Sequence, residues 1–123
     1  MPTIEGTLPI RLVSPNVLEH WSKRYKRNQM HYLLIKQNLI KGAGVIQLPC
    51  RIELERQGKR LFDSDNLVSS MKGIKDSLAS IILGKKRGVD DDNPGIEWVY
   101  KQIKGDYALR IEITWGDEWE KTT

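Results

Sequence analysis

The sequence has few of the soft side chains on which many metal and nucleophilic sites depend. It contains a single cysteine, Cys50, and two histidines, His20 and His31. A disulfide within the chain is therefore impossible, and no convincing zinc site can be assembled from so few soft ligands. Cys50 lies in a stretch of alternating apolar residues, which predicts a small buried hydrophobic side chain rather than a nucleophile. A glycine-rich phosphate loop is also absent, and no Ser-His-Asp spacing suggests a hydrolase triad.

Long hydrophobic runs are missing as well. No segment approaches the length of a membrane span, and the first ten residues carry neither a basic start nor a long apolar run. Apolar residues make up 39% of the 123 residues, and four Trp and four Tyr offset this modest share. We therefore expect one globular domain over residues 1–123, in a reducing, cytoplasmic compartment and without a membrane partner.

The charges are unevenly distributed along the chain. The 20 basic residues exceed the 16 acidic ones, which gives a formal net charge of +4. The basic residues form three clusters, namely Lys23, Arg24, Lys26 and Arg27; Arg56, Lys59 and Arg60; and Lys85, Lys86 and Arg87. The acidic residues concentrate at Asp63 with Asp65, at Asp90–Asp92 and in the tail Asp117–Glu120. Basic clusters beside compact acidic ones suit an enzyme that grips phosphates around a metal ion, although each run could also be a solvated surface.

Hydrophobic periodicity and turn residues predict an α+β domain with the element order β-α-β-α-β-β. The predicted elements are a strand over Ile4–Val13, a helix over His20–Lys41 ended by Gly42 and Gly44, a strand over Val45–Glu55, a helix over Asp65–Leu83 ended by Gly84, a loop over Gly88–Gly95, and strands over Ile96–Ile103 and Tyr107–Trp115. Gly105-Asp106 is a turn signal, so the last two strands are expected to form a hairpin. The apolar positions of the first helix include Trp21, Tyr25, Tyr32, Leu33 and Ile40. We expect one mixed sheet with helices packed on it.

The second predicted helix separates apolar from polar residues. At 100° per residue, its apolar face comprises Leu67, Met71, Ile74, Leu78, Ile81 and Ile82. On the opposite side, within about 60° of Asp65, lie Ser69, Lys72, Asp76 and Ser80. Such a polar line is usually the solvent side of a helix. Here it begins at a carboxylate pair and contains a lysine, so it is also a candidate wall of an active site.

Two acidic sites could hold a metal ion. Asp63 and Asp65 are two residues apart, and in an extended chain their carboxylates would point to the same side and could share one cation. The competing interpretation is helix capping, which accounts for one aspartate but not for both. Asp90, Asp91 and Asp92 repel one another unless a cation relieves them, although the segment could also be a polar turn. Hard oxygen ligands of this kind suit Mg²⁺, with Mn²⁺ as a substitute.

These residues carry a resemblance to a known family. The stretch Asp63-Ser64-Asp65-Asn66-Leu67 opening a helix, then Lys72 and Asp76, then Gly88-Val89-Asp90-Asp91 resembles the RusA-type Holliday junction resolvases. The resemblance is strong over Asp63–Asp92 and looser at Ser14-Pro15-Asn16, where the family has a similar loop followed by basic and aromatic residues. It implies a homodimer that cuts branched DNA with Mg²⁺ in a bacterial cell or phage-infected host.

The resemblance also implies roles for individual residues. Asp63, Asp65 and Asp91 match the aspartates that bind metal, while Asp90 and Asp92 remain alternatives in the later segment. Lys72 resembles the catalytic lysine that stabilises charge in the transition state. The family lysine usually stands four residues after the second motif aspartate. Here Ser69 occupies that position and Lys72 comes three residues later, so Lys75 or a basic residue of Lys85–Arg87 could have taken the role instead.

The sequence thus predicts a metal-dependent endodeoxyribonuclease that resolves four-way DNA junctions in recombination and repair. Two active sites in a symmetric dimer would make paired cuts by hydrolysis of phosphodiesters. The predicted DNA contacts are Lys23, Arg24, Lys26, Arg27, Lys85, Lys86 and Arg87. The alternatives are a non-catalytic nucleic-acid-binding module on the same fold and an interaction protein whose acidic loops are solvated turns.

Overall fold

A computed structural model describes residues 2–40, 46–84 and 93–116, which form one α+β domain around a four-stranded mixed sheet. The elements are β1 (Thr3–Leu8), α1 (Trp21–Asn38), β2 (Cys50–Gly58), α2 (Ser64–Ser70), α3 (Lys72–Leu83), β3 (Ile96–Lys104) and β4 (Ala108–Trp115). The predicted α+β class and mixed sheet are confirmed. None of the described helices has the length and apolar character needed to cross a membrane.

The strand order β1-β4-β2-β3 overturns the predicted hairpin. β4 runs antiparallel to both β1 and β2, whereas β2 and β3 pair in parallel and are linked through α2 and α3. β2 therefore lies between the two strands that were expected to be neighbours. The connection after β3 passes over the end of β2, where the Gly105 amide donates to the Gly58 carbonyl at 3.0 Å. The turn at Gly105-Asp106 correctly predicted that the chain reverses direction between β3 and β4, but it did not predict which strands pair with each other.

One face of the sheet belongs to the core. Alternate residues of β2 and β4, such as Ile52, Leu54 and Ile111, are fully buried and form one cluster with Ile35 of α1 and Leu78 of α3. The residues between them are charged or polar. Arg110 of β4 donates to three carboxylates on this second face, those of Glu5, Glu53 and Glu112. The sheet therefore separates a helix-covered apolar face from a charged one.

Cys50 begins β2 inside the core. It is fully buried, and burial raises the pKa of its thiol to about 11. The prediction of a small buried hydrophobic residue is therefore confirmed.

The predicted helix over Asp65–Leu83 is interrupted by one residue. α2 ends and α3 begins at Met71, whose side chain is fully buried and whose amide bonds to the Val68 carbonyl at 3.1 Å. The apolar side nevertheless stays in phase, because Leu67, Met71, Ile74 and Leu78 are all buried. Gly84 ends α3 in the left-handed conformation, with φ 66°, as expected of a helix-terminating glycine.

The strand ends differ from prediction more than the helix ends do. β1 stops at Leu8, just before Pro9, rather than at Val13, and β2 continues to Gly58 rather than ending at Glu55. β2 also begins at Cys50 rather than at Val45, since the described residues 46–49 are not strand, and α1 ends at Asn38 rather than at Lys41. The glycines Gly42 and Gly44 and most of the Gly88–Gly95 loop lie outside the described residues.

α1 packs through a side that is not its most aromatic one. His31 and Ile35 are its buried residues, whereas Trp21 and Tyr25 are exposed. The helix begins after His20, whose ring accepts from the Ser22 amide at 3.2 Å.

The contact of α1 with α3 is close at Gly73. A Cβ atom at this position would come within 2.5 Å of the Asn28 Oδ1 atom. A glycine here leaves room for the Asn28 side chain between the two helices, and any larger residue would require that side chain to move.

Candidate functional site

The turn that leads into α2 is fixed to the edge strand of the sheet. The Gln102 side chain of β3 accepts a hydrogen bond from the Phe62 amide at 2.9 Å and donates one to the Phe62 carbonyl at 2.6 Å. The guanidinium carbon of Arg56 lies 3.6 Å from the centre of the Phe62 ring, and Arg56 also donates to the Arg60 carbonyl at 2.7 Å. These contacts set the position of Asp63, the next residue along the chain.

Arg56 is itself an unusual support for that turn. Only 3% of its surface is exposed, and its Nε atom has no hydrogen-bond partner within the part of the chain that the structure describes. Burial lowers the pKa of its guanidinium. Stacking on the Phe62 ring and the hydrogen bond to the Arg60 carbonyl therefore hold the buried guanidinium of Arg56 beside the acidic turn.

Asp63 and Asp65 lie at the start of α2 with different local roles. Asp63 caps the helix, because its Oδ1 atom accepts from the Asn66 amide at 2.9 Å. Asp65 lies in the first helical turn, is exposed, and makes no hydrogen bond or ion pair with any residue that the structure describes. The capping interpretation is thus correct for Asp63 and leaves Asp65 unexplained. The expected extended-chain geometry is wrong from Ser64 onwards, because Ser64 and Asp65 are already helical.

Lys72 and its neighbours line a cavity of about 410 Å³, which we call the α1–α3 cavity. It opens between the segment after β1, helix α1 and the junction of α2 with α3, and its polar lining includes Glu19, Arg27, His31, Ser69, Lys72 and Asp76. The Lys72 ammonium lies 3.5 Å from Asp76 Oδ1. Three residues of the polar line predicted on this helix, Ser69, Lys72 and Asp76, therefore lie along one wall of the cavity, and Ser69 and Lys72 also stay exposed to solvent. Asp65 and Ser80, the two ends of the predicted line, are not among the lining residues, and Ser80 is buried.

The alternative lysine, Lys75, has a different environment. Its ammonium lies 5.3 Å from the centre of the Trp98 ring and 5.7 Å from that of Tyr100, both on β3. Cation–π contacts of this kind hold a side chain against the sheet. Of the two lysines, Lys72 is the one that lines the α1–α3 cavity.

On the opposite wall, Glu19 and His31 were not singled out by sequence, whereas Arg27 was predicted only as a DNA contact. Arg27 donates two hydrogen bonds to Glu19, one of them at 3.0 Å, and the hydrogen bond from Arg27 is the main cause that lowers the pKa of Glu19. Burial, with help from the Arg27 charge, lowers the pKa of His31 to about 4, so its imidazole is neutral at pH 7. No sequence signal identifies this group, because Glu19 precedes the helix and lies eight residues from Arg27.

The predicted DNA contacts do not form a uniform group. Lys23, Arg24 and Lys26 are exposed on α1, but Arg27 is half-buried against Glu19. In the second basic cluster Arg56 is buried and Lys59 pairs with Asp106 at 2.7 Å. Lys85, Lys86 and Arg87 lie outside the described residues, so their role stays a prediction.

The metal site is only partly within the described residues. Among residues 2–40, 46–84 and 93–116, no group of three or more His, Cys, Asp or Glu side chains is arranged to hold a metal ion. Asp90, Asp91 and Asp92 fall outside those ranges. The exposed oxygens of Asp63 and Asp65 are hard donors and fit Mg²⁺ chemically. One oxygen of Asp63 already accepts the hydrogen bond from the Asn66 amide, so Asp65 is the freer ligand among the described residues.

Comparison with known proteins adds no assignment. Neither the scan against protein-family models nor the search of curated proteins gives a match to this chain.

Proposed function

We propose that this protein is a metal-dependent endonuclease that cleaves branched DNA, in the manner of the RusA-type resolvases of four-way junctions. The observation that supports it most is the relation of Asp65 to Lys72. Asp65 is a carboxylate without a hydrogen-bond or ion-pair partner among the described residues, and it lies in the first turn of a helix whose last residues, Ser69 and Ser70, border the cavity lined by Lys72. Lys72 comes seven residues after Asp65, across the one-residue interruption at Met71, and a rise close to the helical one covers about 10 Å over that stretch, so both groups could act on one phosphodiester.

The metal would be Mg²⁺, with Mn²⁺ as a possible substitute, held by Asp63 and Asp65 together with Asp91 or Asp90. When bound, such an ion activates a water molecule and stabilises negative charge on the phosphoryl oxygens. Lys72 would supply positive charge next to the same phosphate, and its ion pair with Asp76 would hold its ammonium on the cavity wall. The turn fixed by Gln102 would keep the two carboxylates in place without a contribution from the substrate.

The remaining features of the proposal concern the assembly. A symmetric homodimer would carry two such sites and make paired cuts across a junction, and no organic cofactor is required. The exposed lysines of α1 would hold DNA arms through their phosphates. We place this activity in the cytoplasm of a bacterial cell or a phage-infected host.

The test is cleavage of a synthetic four-way junction with and without Mg²⁺, by the wild-type chain and by Asp65→Asn. The variant should lose cleavage and bind the junction at least as tightly in Ca²⁺, because one negative charge near the phosphate is removed. Asp106→Asn is the matched control, since Asp106 is an exposed carboxylate already paired with Lys59. Cleavage by Asp65→Asn close to the wild-type rate would exclude the metal-ligand role. Tight binding by the wild-type chain without any cleavage would instead identify a non-catalytic DNA-binding module.

A further inference from the structure

The start of α1 and the segment just before it carry large apolar side chains that remain exposed to solvent in the folded chain. Leu18 is 98% exposed, Trp21 is 72% exposed and Tyr25 is 56% exposed. Trp21 and Tyr25 are four residues apart and therefore neighbours on one side of the helix. We call these three residues the aromatic face. Isolated exposed apolar residues are ordinary, but a contiguous group of them marks an interaction surface.

The rings of the aromatic face are partly preoriented. The His20 ring lies 5.5 Å from the Trp21 ring, centre to centre, and is itself held by the Ser22 hydroxyl at 2.7 Å. Tyr25 accepts a hydrogen bond from Gln29 at 2.8 Å through its hydroxyl. His20 contacts the Trp21 ring and Gln29 contacts the Tyr25 hydroxyl, and both aromatic side chains still remain largely exposed to solvent. An aromatic ring held in this way can stack on a partner with little further loss of side-chain freedom.

The surroundings of the aromatic face are basic. Lys23 and Lys26 are exposed and form no ion pair with any described residue, and the first turn of α1 contains no acidic residue. Among residues 2–40, 46–84 and 93–116, the ion-pair partner of Arg24 is Glu19, at a long distance of 3.6 Å. Positive charge around exposed rings favours an anionic partner that also has flat apolar groups. A nucleic acid with accessible bases meets both conditions, since phosphates and unstacked bases occur together.

The same helix also borders the candidate active site. Arg24 and Asn28 line the α1–α3 cavity, and at 100° per residue they lie roughly 20–60° around the helix from Trp21. A strand whose phosphate lies in that cavity would therefore continue past the aromatic face after a short distance. A duplex hides its bases in the stack, whereas the centre of a branched substrate can expose them.

We propose that the aromatic face stacks on unpaired bases of the DNA, so that this chain selects substrates with exposed bases next to the cut. This inference rests on the proposed nuclease function and adds to it the class of DNA recognised. Trp21 would be the main stacking residue, Tyr25 the second, and Lys23 with Lys26 would contact phosphates regardless of base pairing.

The experiment measures binding in Ca²⁺ to a single-stranded oligothymidine and to a fully paired duplex of the same length. Trp21→Ala should weaken single-strand binding by about 5- to 100-fold, the range expected for loss of one stacked base, and leave duplex binding nearly unchanged. Trp21→Phe should restore most of the loss, because it keeps a ring without the indole nitrogen. Lys23→Ala should weaken both substrates alike. Met30→Ala is the matched control, since Met30 is exposed on the opposite side of α1 and should change neither.

Other outcomes overturn the inference in distinguishable ways. Equal affinity of wild-type and Trp21→Ala for the single strand, with junction cleavage intact, would remove the stacking role and leave the nuclease proposal standing. A loss of equal size on single strand and duplex would assign Trp21 to general binding. Unchanged DNA selectivity with weakened self-association of Trp21→Ala would assign the face to contact between two copies of the chain. Failure of the wild-type chain to bind either DNA would reject both proposals.

Discussion

Helices α1 and α3 pack against each other, yet they use their apolar residues in opposite ways. α3 buries its apolar side, including Ile74 and Leu78, in the sheet core. α1 buries one aliphatic residue, Ile35, together with a histidine, and leaves Trp21 in solvent. Burial on folding therefore accounts for most apolar residues of α3 but, in α1, for Ile35 and the partly buried Leu34 and not for Trp21 or Tyr25. The comparison assigns stability mainly to α3 and leaves α1 available for binding.

The largest difference should appear when one leucine is removed from each helix. Leu78→Ala in α3 should lower the free energy of unfolding by about 2–5 kcal/mol, because it leaves a cavity in the core. Leu33→Ala in α1 should change it by less than about 0.5 kcal/mol, since Leu33 is exposed. Urea unfolding of both variants beside the wild type measures the contrast. Similar losses for the two would mean that the exposed flank of α1 is covered by something in solution.

The second contrast lies within α3, between two lysines one turn apart. Lys72→Ala should slow single-turnover junction cleavage by about 10²–10³-fold and change binding much less, because its charge would act mainly in the transition state. Lys75→Ala should cut at close to the wild-type rate, since Lys75 packs over Trp98 and Tyr100.

Ser69→Ala should slow cleavage less than Lys72→Ala does, because it removes a neutral hydroxyl rather than a charge from the same cavity wall. If Lys75→Ala were slow and Lys72→Ala fast, the lysine of the proposed site would be Lys75 and the assignment to Lys72 would be wrong.

The smallest of the three effects is a loss of folding stability in mild acid, and it should arise from His31 of α1. The folded-state pKa of His31 is about 4, below its ordinary value of 6.5, because the imidazole is buried near Arg27. Below pH 6.5 the unfolded chain therefore binds a proton that the folded chain does not, and stability falls until the pH reaches about 4. Between pH 7 and pH 5 this contribution is on the order of 2 kcal/mol.

His31→Gln should remove the pH dependence of stability in this window, whereas His20→Gln, which changes an exposed ring at the helix start, should preserve it. The paired carboxylates Glu19 and Glu53 have lowered pKa values, so their stabilisation is lost only at more acidic pH, as the pH falls through those values. Thermal melts at several pH values from 7 to 5 would make the comparison. An unaltered slope in His31→Gln would show that another group titrates there.

Much of the fold could be predicted because its signals are local. The apolar period of the segment that became α2 and α3 identified Leu67, Ile74 and Leu78 as core, and Gly84 marked the helix end. The interruption at Met71 was invisible because it involves one apolar residue near helical geometry and neither glycine nor proline. The pairing of β4 with β2 rather than β3 depends on contacts distant in sequence, such as Ile52 with Ile113, which no turn signal reports.

The candidate site was predictable only where one short segment carries it. Asp63, Asp65 and Lys72 stand close together in the chain, so a motif could single them out. His31 and Glu19 could not be found, because their shared cavity arises when α1 packs on α3 at Gly73. The exposure of Trp21 was missed for a related reason. Sequence periodicity shows that a helix has aromatic positions, while tertiary packing decides which side of the helix is covered.

The double hydrogen bond between Gln102 and the backbone of Phe62 links two residues that are forty positions apart. Because β3 is an edge strand, this link can form only after the chain has built the crossover and added its outermost strand to β2. The acidic turn would therefore be completed late on the folding route, after much of the core is in place. The order also applies in reverse. When the edge strand frays, the turn is released before the centre of the sheet opens, so partial unfolding would free the segment of Asp63 and Asp65 while most of the domain remained folded.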